Sequence, residues 1–259
     1  MIDVACATLS CDGFGNMDFK KAFEMLPQIG YKYVEFDCWH PADLTPNKMK
    51  DIKKRCDDSG LIPMGIYSNG FGGIDKNQIS KDVSHKIRMI EAACELGCKR
   101  VVATGAGRGK DGGLDSIITV LNEVSYFAET QGILVCLENH AGNNLENTED
   151  YLRIFKEVNS PNVGMCMDTG HFITCSVDMD EQIDLFGKRI FHVHVKEKKE
   201  NSDEVIYFAE HNHRVIKHLV SAGYDGFITV EIPPLNLDPD IIRKELKSAL
   251  NTYSIYSKV

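Results

Sequence analysis

The stretch Ile118-Thr-Val-Leu-Asn-Glu-Val-Ser-Tyr-Phe-Ala-Glu-Thr-Gln-Gly-Ile-Leu-Val-Cys-Leu-Glu138 carries the plan of the whole chain. Ile118, Leu121, Val124 and Ala128 recur at three- and four-residue intervals, which puts them on one face of a helix. Gly132 follows, a residue that tolerates the left-handed conformation closing a helix. The next residues, Ile133-Leu-Val-Cys-Leu, are apolar at successive positions, as in a strand covered on both faces, and they end on Glu138.

The same helix, glycine and strand return on either side. Phe19, Ala22, Phe23 and Leu26 lead through Gly30 to Tyr33-Val-Glu-Phe36. Val83, Ile87, Ile90 and Cys94 lead through Gly97 to Arg100-Val-Val-Ala103, and Val215, Ile216, Leu219 and Val220 through Gly223 to Phe227-Ile-Thr-Val-Glu231. Gly60 and Gly187 mark two further junctions of the same kind, before Leu61 and Ile190. Strands are expected near Ile2, Tyr33, Leu61, Arg100, Ile133, Val163, Ile190 and Phe227, with a last helix from about Pro239 to Tyr253. Eight βα units along 259 residues predict one α/β domain over residues 1–259, a single (β/α)8 TIM barrel. A doubly wound open sheet would use fewer strands and carry a phosphate fingerprint. The glycine-rich Gly105-Ala-Gly-Arg-Gly109-Lys-Asp-Gly-Gly113 lacks that spacing and reads as a flexible loop after strand four, with Arg108 and Lys110 available to a substrate anion.

Composition narrows the function. The chain is 43% hydrophobic and 26% charged, an ordinary globular balance, and has no apolar run of membrane-spanning length. Its net charge of −9 opposes general nucleic-acid binding, which depends on neutralising phosphates. Nine cysteines without a Cys-x-x-Cys pair, and an N-terminus that enters a strand directly, predict a cytoplasmic protein with buried free thiols.

Four of the strands end on polar groups: Glu138, Asp168 in Val163-Gly-Met-Cys-Met-Asp168, His194 in Ile190-Phe-His-Val-His194, and Glu231. Strands five to eight are neighbours in a barrel, and the loops after strands build its catalytic face, so the four side chains converge. Three carboxylates and an imidazole at one point would repel unless a divalent cation joined them. Oxygen-rich ligation by three carboxylates and one imidazole favours Mn2+, Mg2+ or Co2+ over a four-coordinate structural zinc. His192 shares the strand and face of His194 but lies deeper. His171, three residues after Asp168, is expected to contact substrate beside the metal, and Trp39 to form an apolar wall over it. His85 and His218, inside helices, are expected to face water.

The segments Leu137-Glu-Asn, Met167-Asp-Thr-Gly-His171, Phe191-His-Val-His-Val195 and Gly223-Tyr-Asp-Gly-Phe-Ile-Thr-Val-Glu231 resemble the xylose-isomerase-like TIM-barrel superfamily, most nearly the ketose 3-epimerases related to D-tagatose 3-epimerase. The resemblance implies one Mn2+-like ion held by Glu138, Asp168, His194 and Glu231, with Glu138 and Glu231 doing the proton chemistry and His171 touching substrate. Where those epimerases grip substrate with a Glu and an Arg, this chain reads Asn143-Asn144 and Lys196-Glu-Lys-Lys-Glu200, so Asn144 and Lys196 stand as its substrate contacts. The expected activity is epimerisation or aldose–ketose isomerisation of a small sugar or sugar phosphate through a metal-stabilised enediolate, the two glutamates alternating as base and acid. Loss of a β-hydroxyl from the same enediolate would make the enzyme a keto-sugar or keto-inositol dehydratase or lyase. An AP endonuclease of this superfamily would need histidines after strands three and four, where Tyr67-Ser-Asn69 and Thr104-Gly-Ala106 stand. A non-catalytic sugar-binding barrel would not need both glutamates. Neither a membrane nor a nucleic acid is an expected partner, and a homo-oligomer is left open.

Overall fold

In the computed structural model, α5 (Gly113–Gln131) ends at Gly132, whose φ of 64° is left-handed, and the chain re-enters the sheet as β5 (Leu134–Glu138). Residues 2–68, 70–71, 78–110, 112–196, 198–200, 205–207, 209–233 and 238–257 are described. Asn69 and Asp111 lie outside them, as do the side chains of Lys198 and Lys199.

Eight parallel strands close into a barrel: β1 (Asp3–Ala7), β2 (Tyr33–Asp37), β3 (Ile62–Ser68), β4 (Arg100–Thr104), β5, β6 (Val163–Asp168), β7 (Ile190–Val195) and β10 (Phe227–Val230), with β10 pairing to both β7 and β1. The expected (β/α)8 architecture is therefore present. Around it lie α2 (Lys20–Ile29), α3 (Pro46–Ser59), α4 (Ile79–Leu96), α5, α6 (Thr148–Glu157), α8 (Met179–Phe186), α9 (Ala209–Ser221) and α10 (Pro239–Tyr253). Two short helices, α1 (Leu9–Asp12) and α7 (Thr169–Cys175), open the loops after β1 and β6. A small antiparallel hairpin, β8 (Lys198–Glu200) with β9 (Val205–Tyr207), follows β7.

The larger core fills the space between strands and helices, with Leu26, Ile52, Ile90, Leu121, Tyr151, Ile183, Ile216 and Leu246 among its members. A smaller cluster of Tyr67, Val102, Cys136 and Cys166 packs separately. Cys136 and Cys166 stand two residues before Glu138 and Asp168, so strand alternation turns them to the same face, the barrel lumen. These groups line part of the lumen under the candidate site.

Three sequence expectations are corrected. Gly187 is right-handed, with φ −45° and ψ −42°, and it starts a 3-10 turn over Gly187–Arg189 instead of closing α8 in the left-handed form. His85 is half-buried, its Nε2 lying 3.3 Å from Ser68 Oγ. His218 is half-buried too, its nitrogens 2.8 Å from Asp180 and 3.2 Å from Asp184, because α8 presents both aspartates to α9. No helix among the described residues is long and apolar enough to cross a membrane.

Gly164 of β6 tests this packing. A Cβ there would stand 2.4 Å from the Arg189 carbonyl oxygen and from the Phe191 ring, inside the β6–β7 contact. Gly164→Ala is expected to lower unfolding free energy by about 1–3 kcal/mol, the usual cost of overfilling a packed interior, read from urea unfolding.

Candidate metal centre

β5, β6, β7 and β10 lie side by side and stop at the same level. In register, Asp168 pairs with His194, Glu138 with Cys166, and Glu231 continues β10 by donating its N–H to the Val195 carbonyl at 3.1 Å. The result gathers Glu138, Asp168, His194 and Glu231, all buried, with one ligand atom of each within 4.8 Å of every other. The four side chains read from the sequence as one set are brought together.

Local structure fixes each donor. Asp168 caps α7, its Oδ1 accepting the His171 N–H at 2.8 Å, which leaves Oδ2 for the site. Asn139 clamps the same strand end: its Oδ1 accepts from Asp168 N at 2.7 Å and its Nδ2 donates to the Asp168 carbonyl at 3.0 Å. Tyr67 Oη donates to Glu138 Oε2 at 2.8 Å. His194 Nδ1 lies 2.8 Å from Glu138 Oε1 and 2.7 Å from Glu231 Oε2, while its Nε2 faces Glu35 Oε1 at 2.8 Å. Lys196 Nζ spans Asp168 Oδ2 at 2.8 Å and Glu231 Oε1 at 3.0 Å, and Gly170 lets its stem pass, since a Cβ on Gly170 would stand 2.8 Å from Lys196 Cβ.

Charge balance sets the protonation states. Burial opposes ionisation of Glu231, but the Lys196 ammonium and His194 outweigh it and hold the carboxyl well below its usual range. Burial likewise opposes charge on Lys196, yet Asp168, Glu231 and Glu138 keep its ammonium above the ordinary lysine value. Deeper, burial would raise Glu35, but His194 and His192 hold it down at about 2. Asp37 has no such partner: burial, then Glu35 and Glu231, push it up to about 8, while its Oδ2 accepts from Thr8 Oγ1 and Leu9 N. Burial lowers His171, so this imidazole is neutral at the mouth of the site.

The donor set fits a divalent ion. A single Nδ1 hydrogen on His194 cannot serve both carboxylate oxygens that face it. Asp168 Oδ2 and Glu231 Oε2 approach Lys196 Nζ and His194 Nδ1 closely, but neither contact is aligned as a hydrogen bond. Buried carboxylate oxygens left in this state are the atoms a cation would take. Cys166, His192 and His194 form a second cluster of donor atoms below, where burial raises the Cys166 thiol well above its ordinary value.

Of the expected substrate contacts, His171 stacks on His140 with ring centroids 3.8 Å apart, and Trp39 packs edge-on to Tyr67 at 5.1 Å and against Phe14 at 5.9 Å. Trp39 thus reaches the centre through Tyr67. Asn144 braces the neighbouring loop, its Oδ1 accepting from Gly109 N at 3.3 Å. Arg108 is engaged by Glu146 at 2.8 Å and Asp150 at 2.7 Å, which occupies it between two loops. Glu35, Asp37 and Tyr67 escaped the sequence reading. The signal for the two acids was the alternation in Tyr33-Val-Glu-Phe-Asp37, which turns both to one face, the same face as the lumen.

Residues 15–252 match the family described as "Xylose isomerase-like TIM barrel". An inosose isomerase of Bacillus subtilis is 25% identical over 197 residues, covering 71% of this chain and 70% of that protein. An inosose dehydratase of Geobacillus thermodenitrificans is 25% identical over 261 residues, covering 84% and 83%. An uncharacterized protein of Methanocaldococcus jannaschii is 32% identical over 126 residues, and the match spans 46% of this chain and 43% of that protein, less than half its length. Among solved structures, the IolI protein with a binding zinc atom superposes with a TM-score of 0.80 at 20% identity, covering 100% of both chains. D-allulose 3-epimerase from Methylomonas sp. in complex with D-allulose superposes with a TM-score of 0.79 at 19% identity, covering 97% of each. By its sequence match across nearly its full length, the chain belongs to the xylose isomerase-like TIM-barrel family.

Proposed function

We propose that this protein is a divalent-metal-dependent epimerase or isomerase of a small sugar or sugar phosphate, working by proton transfer beside a ketone. The observation that carries this reading is the convergence of Glu138, Asp168, His194 and Glu231 on one buried point. Those four residues would hold the ion, Mn2+ by preference and Mg2+, Co2+ or Zn2+ otherwise, and the bound ion would supply positive charge opposite the ketone oxygen.

Glu231 is the base. The Lys196 ammonium keeps it anionic, and it needs only a C–H acidified by the neighbouring ketone. Glu138, on a different strand, would enter the cycle carrying a proton, with its second oxygen held by Tyr67 Oη. If it gives that proton to the opposite face while Glu231 keeps the one it took, the carbon is inverted, and the two exchange roles in the reverse direction; if Glu231 passes its proton to the next carbon instead, the sugar is isomerised. His171, neutral and at the mouth, hydrogen-bonds a substrate hydroxyl, while Trp39 walls the site and Asn144 and Lys196 complete the substrate contacts. Nine free cysteines support a reducing cytoplasmic setting.

A dehydratase is the second reading. It is favoured by the inosose isomerase and the inosose dehydratase standing at the same 25% identity to this chain. The proton removal is shared; a hydroxyl on the adjacent carbon then departs as water.

Incubation with ketoses and keto-inositols in D2O with Mn2+ tests the assignment. Solvent deuterium is expected at the carbon beside the ketone, with an inverted centre for an epimerase or a dehydrated product for the second reading. Absence of exchange with every substrate overturns both. Glu138→Gln and Glu231→Gln are each expected to lower kcat by about 10²–10⁴-fold, the usual contribution of a positioned acid or base. Exhaustive chelation should abolish turnover and lower the melting temperature, and Mn2+ should restore both. Lys196→Met removes the ammonium that depresses Glu231, so the Glu231 pKa rises and the acid limb of the kcat/KM profile should move to higher pH.

A further inference from the structure

Glu35 lies beneath the candidate centre, fully buried in the barrel lumen, where an aliphatic side chain would pack without the cost of a buried charge. Its two oxygens face different imidazoles: Oε1 is 2.8 Å from His194 Nε2, and Oε2 is 3.0 Å from His192 Nε2. The neighbouring strand makes room for it. Gly65 pairs with Glu35 across β2 and β3, and a Cβ on Gly65 would stand 3.2 Å from Glu35 Oε2. The carboxylate therefore sits in a slot shaped for it, with His192, on the same strand as His194, close to its far oxygen but not aligned as a hydrogen bond.

We propose that Glu35 is a positioning residue for the metal centre: by accepting the Nε2 hydrogen of His194, it turns the bare Nδ1 of that imidazole toward Glu138, Asp168 and Glu231. A carboxylate has no hydrogen to give, so the nitrogen facing it carries one, and in a neutral imidazole the other nitrogen is then the donor to a metal. The geometry agrees with this division, because Nδ1 and not Nε2 lies among the other ligand atoms. His192 has no place among the four candidate ligands and lies against the other oxygen of Glu35. The inference rests on the metal centre proposed above and adds the residue that orients its only nitrogen ligand.

Metal affinity and imidazole tautomer test it, without reliance on turnover. Glu35→Gln keeps the size of the side chain but can present a donor to His194 Nε2. Calorimetric titration with Mn2+ and Zn2+ is expected to show one ion bound by the wild type and an affinity about 10–100-fold weaker in Glu35→Gln, the usual range for such supporting partners. In zinc-loaded wild-type protein labelled with 15N-histidine, His194 should show a ligated Nδ1 and a protonated Nε2. Equal affinity in the two proteins, or ligation through Nε2, overturns the positioning role and leaves the metal centre standing. No ion bound by the wild type overturns both. Should Glu35→Gln fail to fold, the wild-type tautomer alone decides.

Discussion

Like charges gathered at one buried point must be neutralised there, and this demand organises the upper half of the barrel. Glu138, Asp168 and Glu231 converge where water is scarce. His194 and Lys196 reach in among them, and Glu35 below is met by His192 and His194. The lumen therefore alternates in sign along its axis, acids above, an imidazole between, an acid beneath. Tyr67, Val102, Cys136 and Cys166 keep this column surrounded by low-polarity matter, where each attraction is stronger than in water. The arrangement is costly to bury, so removing any one partner would expose the charge of another.

The fold separates this costly column from the parts that hold the chain together. Outside the strands, one continuous apolar core binds sheet to helices. The four converging side chains stand at strand ends, the region where barrels of this kind vary their chemistry, with Glu35 and His192 in mid-strand below them. Loop bracing also stays near the rim: Arg108 links the loop after β4 to Glu146 and Asp150, and Asn144 accepts from Gly109. The site is thereby mounted on rigid elements while its surroundings are free to define the substrate.

Much of this was legible because the signals were local and repeated. Leu134–Glu138 and Val163–Asp168 are apolar runs that end on an acid, and neighbouring strands of a barrel must end together. The convergence of Glu138, Asp168, His194 and Glu231 followed from that rule alone. Glu35 did not, because it stands in mid-strand and its partners are 157 and 159 positions away in sequence, a contact that only ring closure creates. Gly187 was misread since glycine permits a left-handed turn without requiring one, and here a 3-10 turn continues instead. The β8–β9 hairpin gave no periodic pattern, with three-residue strands on both sides of a polar stretch.

Asp168 has two oxygens with two employers. One holds the first turn of α7, and with it the backbone of His171; the other faces the centre. Were an ion to take the second oxygen, any shift of that rigid carboxylate would also move the first turn of α7, so the two ends would respond together. The short helix after β6 is in this sense a lever whose fulcrum is an amino acid of the centre itself.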